Sequence, residues 1–145
     1  MRFMEHLKPL SLLLLRLALG AIFIEHGYPK LFTSHNGYVT TFVHWGFPSY
    51  FATISGTLEF FGGVLLIAGL LTRLTALLLA IEMGVALAKV HIPQSGIYAI
   101  GKFELPLALC AAAFALATVG AGSFSLDRVT FEGGRSAPKK TKPAN

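Results

Sequence analysis

Four apolar runs in this chain are each long enough to cross a lipid bilayer, and nothing else in the sequence restricts the fold so strongly. A spanning helix takes about 20 mostly apolar residues. Residues 9–32, 48–72, 73–91 and 102–122 supply such runs within a chain of 145 residues. Backbone groups inside hydrocarbon must bond to one another, so the runs become helices or the strands of a closed barrel. They lack period-two alternation, and a barrel of about eight or more strands would not fit this length. The expected fold is therefore all-α, a polytopic membrane protein built as a four-transmembrane-helix bundle. Hydrophobic residues make up 54% of the chain and charged residues 13%, with a mean hydropathy of +0.64, a balance foreign to soluble domains.

Each run carries one glutamate within it or at its edge: Glu25, Glu59, Glu82 and Glu104. A carboxylate at the bilayer centre opposes insertion by roughly 2.5–3.5 kcal/mol, so four together cost about 10 kcal/mol, comparable to the stability of a whole domain. Residues that expensive are candidates for function or for pairing.

Orientation follows from the twelve Lys and Arg residues. With four spans, Arg2, Lys8, Arg73, Arg128, Arg135, Lys139, Lys140 and Lys142 share a side with both termini, against Lys30, Lys89 and Lys102 on the other. That excess is expected to place both termini in the cytoplasm. Arg16 lies inside the first span and is expected to snorkel inward or to pair with a glutamate. Counting about 1.5 Å of rise per residue sets Glu25 about 13.5 Å outward of Arg16 and Glu82 as far outward of Arg73. Glu59 comes in from the outer side and Glu104 sits near the outer surface. The four acids thus share the outer half with His26, Lys30, Lys89, His91 and Lys102. From these, Arg16, Glu25, His26, Glu59, Glu82, Lys89, His91 and Glu104 are read as a candidate polar core for a proton or a ligand. Glu82 and Lys89 are seven residues apart and return to one helix face. Glu25 and His26 differ by about 100° around the axis, so they face different neighbours.

Residues 33–49 separate the first two spans and hold Tyr38, Phe42, Trp45 and Phe47, with turn signals at Asn36-Gly37 and Gly46. Such a segment forms an interfacial helix or lid on the outer face, or only an aromatic anchoring belt. The turn at Gly69–Arg73 is so short that spans two and three form an antiparallel hairpin. Small residues at Ala80, Gly84 and Ala88, at Ala108 and Ala112, and at Ala111 and Ala115 are expected to be helix-packing faces. A faint repeat is also present: Arg16-Leu17 precedes Glu25-His26-Gly27 as Arg73-Leu74 precedes Glu82-Met83-Gly84, each by nine residues.

The net charge of +5 comes mostly from the Gly/Pro-punctuated tail 129–145, expected to be a disordered cytoplasmic segment that touches lipid headgroups, with no nucleic-acid partner. Residues 1–128 form the membrane domain. Arg16 interrupts Leu10–Leu15 and no small-x-small cleavage pattern follows, so the first span is expected to remain in the protein. The single cysteine, Cys110, offers no thiol pair and reads as core packing. Glu-x-x-His repeats of a di-iron bundle are missing, and His26 and His91 near helix ends are weak haem candidates, so no metal site is expected. No phosphate loop or nucleophile elbow occurs, hence no self-contained catalytic motif.

Residues 15–20, His26-Gly27, Lys30-Leu31-Phe32 and Gly46-Phe47-Pro48 form a series with Leu58-Glu59-Phe60-Phe61-Gly62-Gly63. It continues with Gly69-Leu70-Leu71-Thr72-Arg73 and ends at Ser125-Leu126-Asp127-Arg128. In order and spacing the series resembles the DoxX family of small bacterial membrane proteins. The resemblance implies a four-helix bundle of the inner membrane and an association with redox complexes, one branch being linked to a thiosulfate:quinone oxidoreductase. It brings quinone in as a candidate ligand, while other members have no assigned reaction and the residues themselves identify no cofactor. Without a cysteine pair, thiol–disulfide chemistry within this chain is not expected.

Three functions fit these residues. One is a membrane or accessory subunit of a quinone-linked redox system, in contact with a partner protein or a second copy of itself. Another is a binder or transporter of a small solute or ion. The third is a non-catalytic assembly factor in which paired charges fix helix register.

Overall fold

The computed structural model describes residues 2–132. The expected disordered tail lies beyond them from residue 133 on, and its first residues belong to a short π turn, Arg128–Glu132. Among the described residues all regular structure is helical: α1 (Arg2–Tyr28), α2 (His35–His44), α3 (Tyr50–Ala68), α4 (Thr72–Ala86), α5 (Ile92–Ser95) and α6 (Glu104–Val119). Three helical stretches are long and apolar enough to cross a membrane: His6–Thr33, Tyr50–Ala68 and Thr72–Ser95. The fourth apolar helix, α6, has 16 residues. It spans about 24 Å, less than a full hydrocarbon core.

The helices pack as two tight pairs, α1 with α3 and α4 with α6, and the pairs touch each other less extensively. Close approach in the first pair rests on glycines spaced by seven. Gly20 lies against the Gly63 carbonyl, and Gly27 against Gly56 and Phe60, so closely that any Cβ there would collide with backbone. Of the small-residue stripes read from the sequence, Ala80 and Ala112 pack into the core, whereas Ala88, Ala108, Ala111 and Ala115 are exposed. The closest seam is made of glycine on α1 and α3 instead.

The two pairs meet over a core of Leu19, Phe23, Leu66, Leu79, Met83, Leu109 and Leu116. At one end, the hairpin end, the Gly69–Leu71 turn joins α3 to α4. Gly69 has a φ of +70°, and a Cβ there would run into the Arg16 guanidinium. At the other end, the lid end, α1 and α4 both loosen into π turns, Pro29–Thr33 and Leu87–His91. Pro29 explains the first: it has no N–H to give and its ring displaces the carbonyl four residues back. The lid end is covered by α2.

The halves echo each other as the faint repeat implied. Arg16 Nε and Nη2 donate to the Leu66 and Ile67 carbonyls at the end of α3, at 2.9 and 3.1 Å. Arg73 Nη2 donates to the Val119 carbonyl at the end of α6, at 3.3 Å. In each half an arginine on the first long helix meets the C-terminal carbonyls of its partner, where positive charge is favoured.

Candidate functional site

A cavity of about 480 Å³ opens above the core at the lid end. The hairpin geometry creates it. Gly62 on α3 sits against Thr75 and Leu79 on α4, where an added Cβ would lie 3.3 Å from each. One turn further from the hairpin, the same register sets Glu59 across from Glu82. Beyond them the helices no longer close on each other, and the space between is lined by side chains of α1, α2, α3, α4 and α6.

Lys30, in the first π turn, reaches over from α1. Its Nζ lies 2.6 Å from Glu59 Oε2 and donates to Ser55 Oγ at 2.9 Å. The Phe42 ring of the lid covers it, with the centroid 5.7 Å from Nζ. Glu59 is only 2% exposed, so this is a buried ion pair whose members depend on each other.

Glu82 is different. Both carboxyl oxygens are buried, and among the described residues neither meets strict hydrogen-bond geometry, although the Ser55 hydroxyl, Glu59 and Lys30 act on the carboxyl from close by. Buried polar groups in folded proteins are nearly always satisfied, so a carboxyl short of protein partners in a cavity wall takes its partner from the cavity side, water included.

Two histidines edge the cavity. His26 Nδ1 donates to the Ile22 carbonyl at 2.8 Å and His91 Nδ1 to the Ala86 carbonyl at 3.0 Å. A ring nitrogen bonded to a carbonyl must carry the proton, which leaves Nε2 of each neutral ring as an acceptor. The rest of the lining is apolar, and Tyr38, Phe42, Trp45 and Phe47 form the roof. Phe42 packs on Trp45 and on Phe47 with centroids 5.5 and 5.9 Å apart, and Phe47 stacks on Phe51. The segment 33–49 is thus a lid over a cavity, beyond a membrane anchor.

The structure gathers Glu59, Glu82, His26 and His91 at this site. Glu25 is exposed and outside the cavity lining, about 100° around α1 from the cavity-edging His26, and Lys89 is exposed, so the Glu82–Lys89 wall does not form. Glu104 is exposed at the first position of α6, where its charge suits the helix N-terminus. Arg16 lies at the hairpin end, 1% exposed, and the carboxylate that acts on it is Asp127. Besides α3 it donates through Nη1 to the Ala121 and Phe124 carbonyls, at 2.9 and 2.6 Å. Close by, Asp127 Oδ1 and Oδ2 accept the Leu71 and Thr72 N–H groups at 2.6 and 2.9 Å. It caps α4 from a distant part of the chain. Lys30 and Ser55 are the cavity residues that the sequence reading left out of its site, and Asp127 is the structural residue it passed over.

A sequence model of the DoxX family matches residues 11–92. A Bacillus subtilis protein named "Putative oxidoreductase CatD" is 33% identical over 121 residues, which cover 83% of this chain and 87% of that protein. An uncharacterized protein of Haemophilus influenzae is 32% identical over 143 residues, covering 91% of this chain and 99% of its own length. No solved structure matches. The family match takes in α1 to α4, and with them Lys30, Glu59 and Glu82, and the relatives align over most of their length. This chain belongs to the DoxX family.

Proposed function

We propose that this protein is the quinone-binding membrane component of a redox system in the bacterial inner membrane, with both termini cytoplasmic and the cavity in the outer half of the bilayer. The orphaned Glu82 carboxyl carries the reading: it lies in the wall of an apolar cavity, beside a buried Lys30–Glu59 pair. A ligand that suits such a wall is a flat, mostly apolar molecule with a few oxygen atoms at fixed positions. A quinone is one. Its oxygens accept hydrogen bonds when oxidised and donate them when reduced, and the wall offers both kinds of partner. The Lys30 ammonium donates, while Glu82 and Nε2 of His91 and His26 accept from hydroxyls. Protonated, Glu82 also donates, so it can hold and return the proton that quinone reduction consumes. Electrons come from a partner protein. The oxidoreductase name of the Bacillus relative supports the same class. The surplus of Lys and Arg on the side of the termini supports the orientation.

Trp45 is the only tryptophan and lines the cavity, so its fluorescence reports occupancy. Titration of the protein in lipid nanodiscs with a decyl benzoquinone is expected to quench it saturably. Glu59→Gln is expected to lower the quinone-linked turnover of membranes at unchanged protein level. Quenching that never saturates with any quinone, together with full turnover in Glu59→Gln, would sink the reading.

A further inference from the structure

The cavity is closed above and open at the side. Its roof is a run of mutually packed rings, Phe42 on Trp45, Phe42 on Phe47 and Phe47 on Phe51. Its flank is edged by apolar side chains that line the cavity and are exposed on the outer surface of the bundle: Ile54 (55%) on α3, Leu78 (41%), Ile81 (55%) and Val85 (42%) on α4, and Leu105 (46%) on α6. A residue that both lines a cavity and faces outward marks the edge of an opening. The opening suits the packing, because α1 holds α3 and α6 holds α4 closely, while α3 and α4 touch less, with their close approach on the hairpin side at Gly62.

The polar groups lie inside that opening. Leu78, Ile81, Glu82 and Val85 fall at the spacing of one helix face, with the orphaned carboxyl on its cavity side. Leu78 is four residues nearer the hairpin than Glu82, about 6 Å deeper along the helix. An apolar path therefore leads from the Glu82 carboxyl outward and toward the middle of the bilayer. A spanning bundle faces hydrocarbon at this level, so the mouth opens on lipid and not on water.

We infer that the cavity is entered sideways from the bilayer, between α3 and α4, by a quinone with a long apolar tail. Its head rests against Lys30, Glu59 and Glu82, and its tail lies over Leu78, Ile81 and Val85. This rests on the quinone reading and narrows its substrate class: a water-borne ring compound such as a catechol or a tail-less quinone uses neither the path nor its lining.

The test compares a tail-less dimethoxy-methyl-benzoquinone with its decyl derivative, through Trp45 quenching in nanodiscs. Affinities are stated per concentration in the bilayer, so that partitioning does not imitate binding. The decyl form is expected to bind about tenfold tighter on this scale, since a shaped path packs the methylenes more closely than fluid hydrocarbon does. Val85→Phe and, separately, Ile54→Phe narrow the mouth from opposite sides. Each is expected to weaken the decyl form about tenfold and the tail-less form less than about twofold. Binding of the tail-less form also verifies that each variant is folded. Equal affinities for the two ligands with no selective effect of either variant would overturn the lateral entry and leave the quinone site standing. Saturable binding of neither ligand to the unmodified protein would overturn the quinone site itself. A dimer that Val85→Phe dissociates would assign the mouth to a second copy of the chain and overturn the path.

Discussion

The two ends of this bundle treat buried charge in opposite ways. At the hairpin end, Arg16 has four hydrogen bonds to backbone carbonyls, and Asp127 accepts two N–H groups. Each charge is matched by helix termini and loops that would otherwise be unsatisfied. At the lid end, the Lys30–Glu59 ion pair is made, and the Glu82 carboxyl beside it has Ser55, Glu59 and Lys30 for neighbours but no hydrogen bond of strict geometry among the described residues. A saturated end has no capacity to bind and holds the chain together. An unsaturated end is less stable than it could be and is ready for a ligand. If that division is right, substitutions at the two ends must separate stability from binding.

The largest effect is expected from Arg16→Leu. Removing the guanidinium strands the Ala121 and Phe124 carbonyls and weakens the cap on α3. Each lost partner costs about 1–3 kcal/mol in a buried setting, so the total exceeds about 4 kcal/mol. That is a large share of the roughly 5–15 kcal/mol that stabilises an ordinary domain. Little folded protein is expected in detergent by size-exclusion chromatography. A well-folded Arg16→Leu protein would erase the contrast between the ends.

Lys30→Met comes next. It leaves Glu59 buried without its cation, a situation that costs about 3–5 kcal/mol when one member of a buried pair is removed. Loss of Trp45 quenching is expected with a lowered melting midpoint. Adding Glu59→Gln should recover part of the midpoint, because the uncompensated charge is gone, but not the quenching. A double variant that regains both would make the pair purely structural.

How much of this was legible in the sequence follows the physics of each element. Long apolar runs are a one-dimensional signal, and with the turn at Gly69–Leu71 they gave the bundle and the hairpin. The meeting of Glu59 and Glu82 was also readable, and was missed: Glu59 precedes Leu70 by eleven residues and Glu82 follows Leu71 by eleven, about three helical turns each way. In a tight hairpin such positions face each other. Lys30 could be placed in the outer half but not paired. Its reach depends on the depth to which Gly27 and Gly56 let α1 and α3 approach, and on the π turn that Pro29 starts. Depth and charge put Arg16 and Glu104 in one group with Glu59 and Glu82, yet Arg16 lies at the hairpin end and Glu104 at the exposed start of α6. Arg16 pairs with carbonyls instead, which carry no signature in the sequence. Asp127 caps a helix more than fifty residues away, a contact no local pattern announces.

A smaller loss is expected from Asp127→Ala at the hairpin end. Two N–H groups at the start of α4 lose their acceptor, a capping loss of about 1–2 kcal/mol. The melting midpoint should fall while decyl-quinone affinity stays within about twofold, since the cavity lies at the far end of α4. Weakened binding in this variant, at a temperature where it is fully folded, would mean that the two ends are coupled and not divided as argued.

The smallest effect on stability, and the sharpest test of the division, belongs to Glu82→Gln. Among the described residues the carboxyl has no hydrogen bond of strict geometry to lose, and an amide is cheaper to keep in an apolar wall than an acid that must be either charged or protonated. The midpoint should stay the same or rise by about 1 kcal/mol equivalent, whereas quinone affinity should drop about tenfold, the worth of one hydrogen bond to a charged group. Glu25→Gln provides the reference, because Glu25 lies on a neighbouring helix at similar depth but is exposed and outside the cavity. It should change neither quantity. A Glu82→Gln protein that melts several kcal/mol earlier would show that the carboxyl already has a structural partner within the bundle. The lid end would then be as saturated as the hairpin end, with no unmatched group for a ligand to complete.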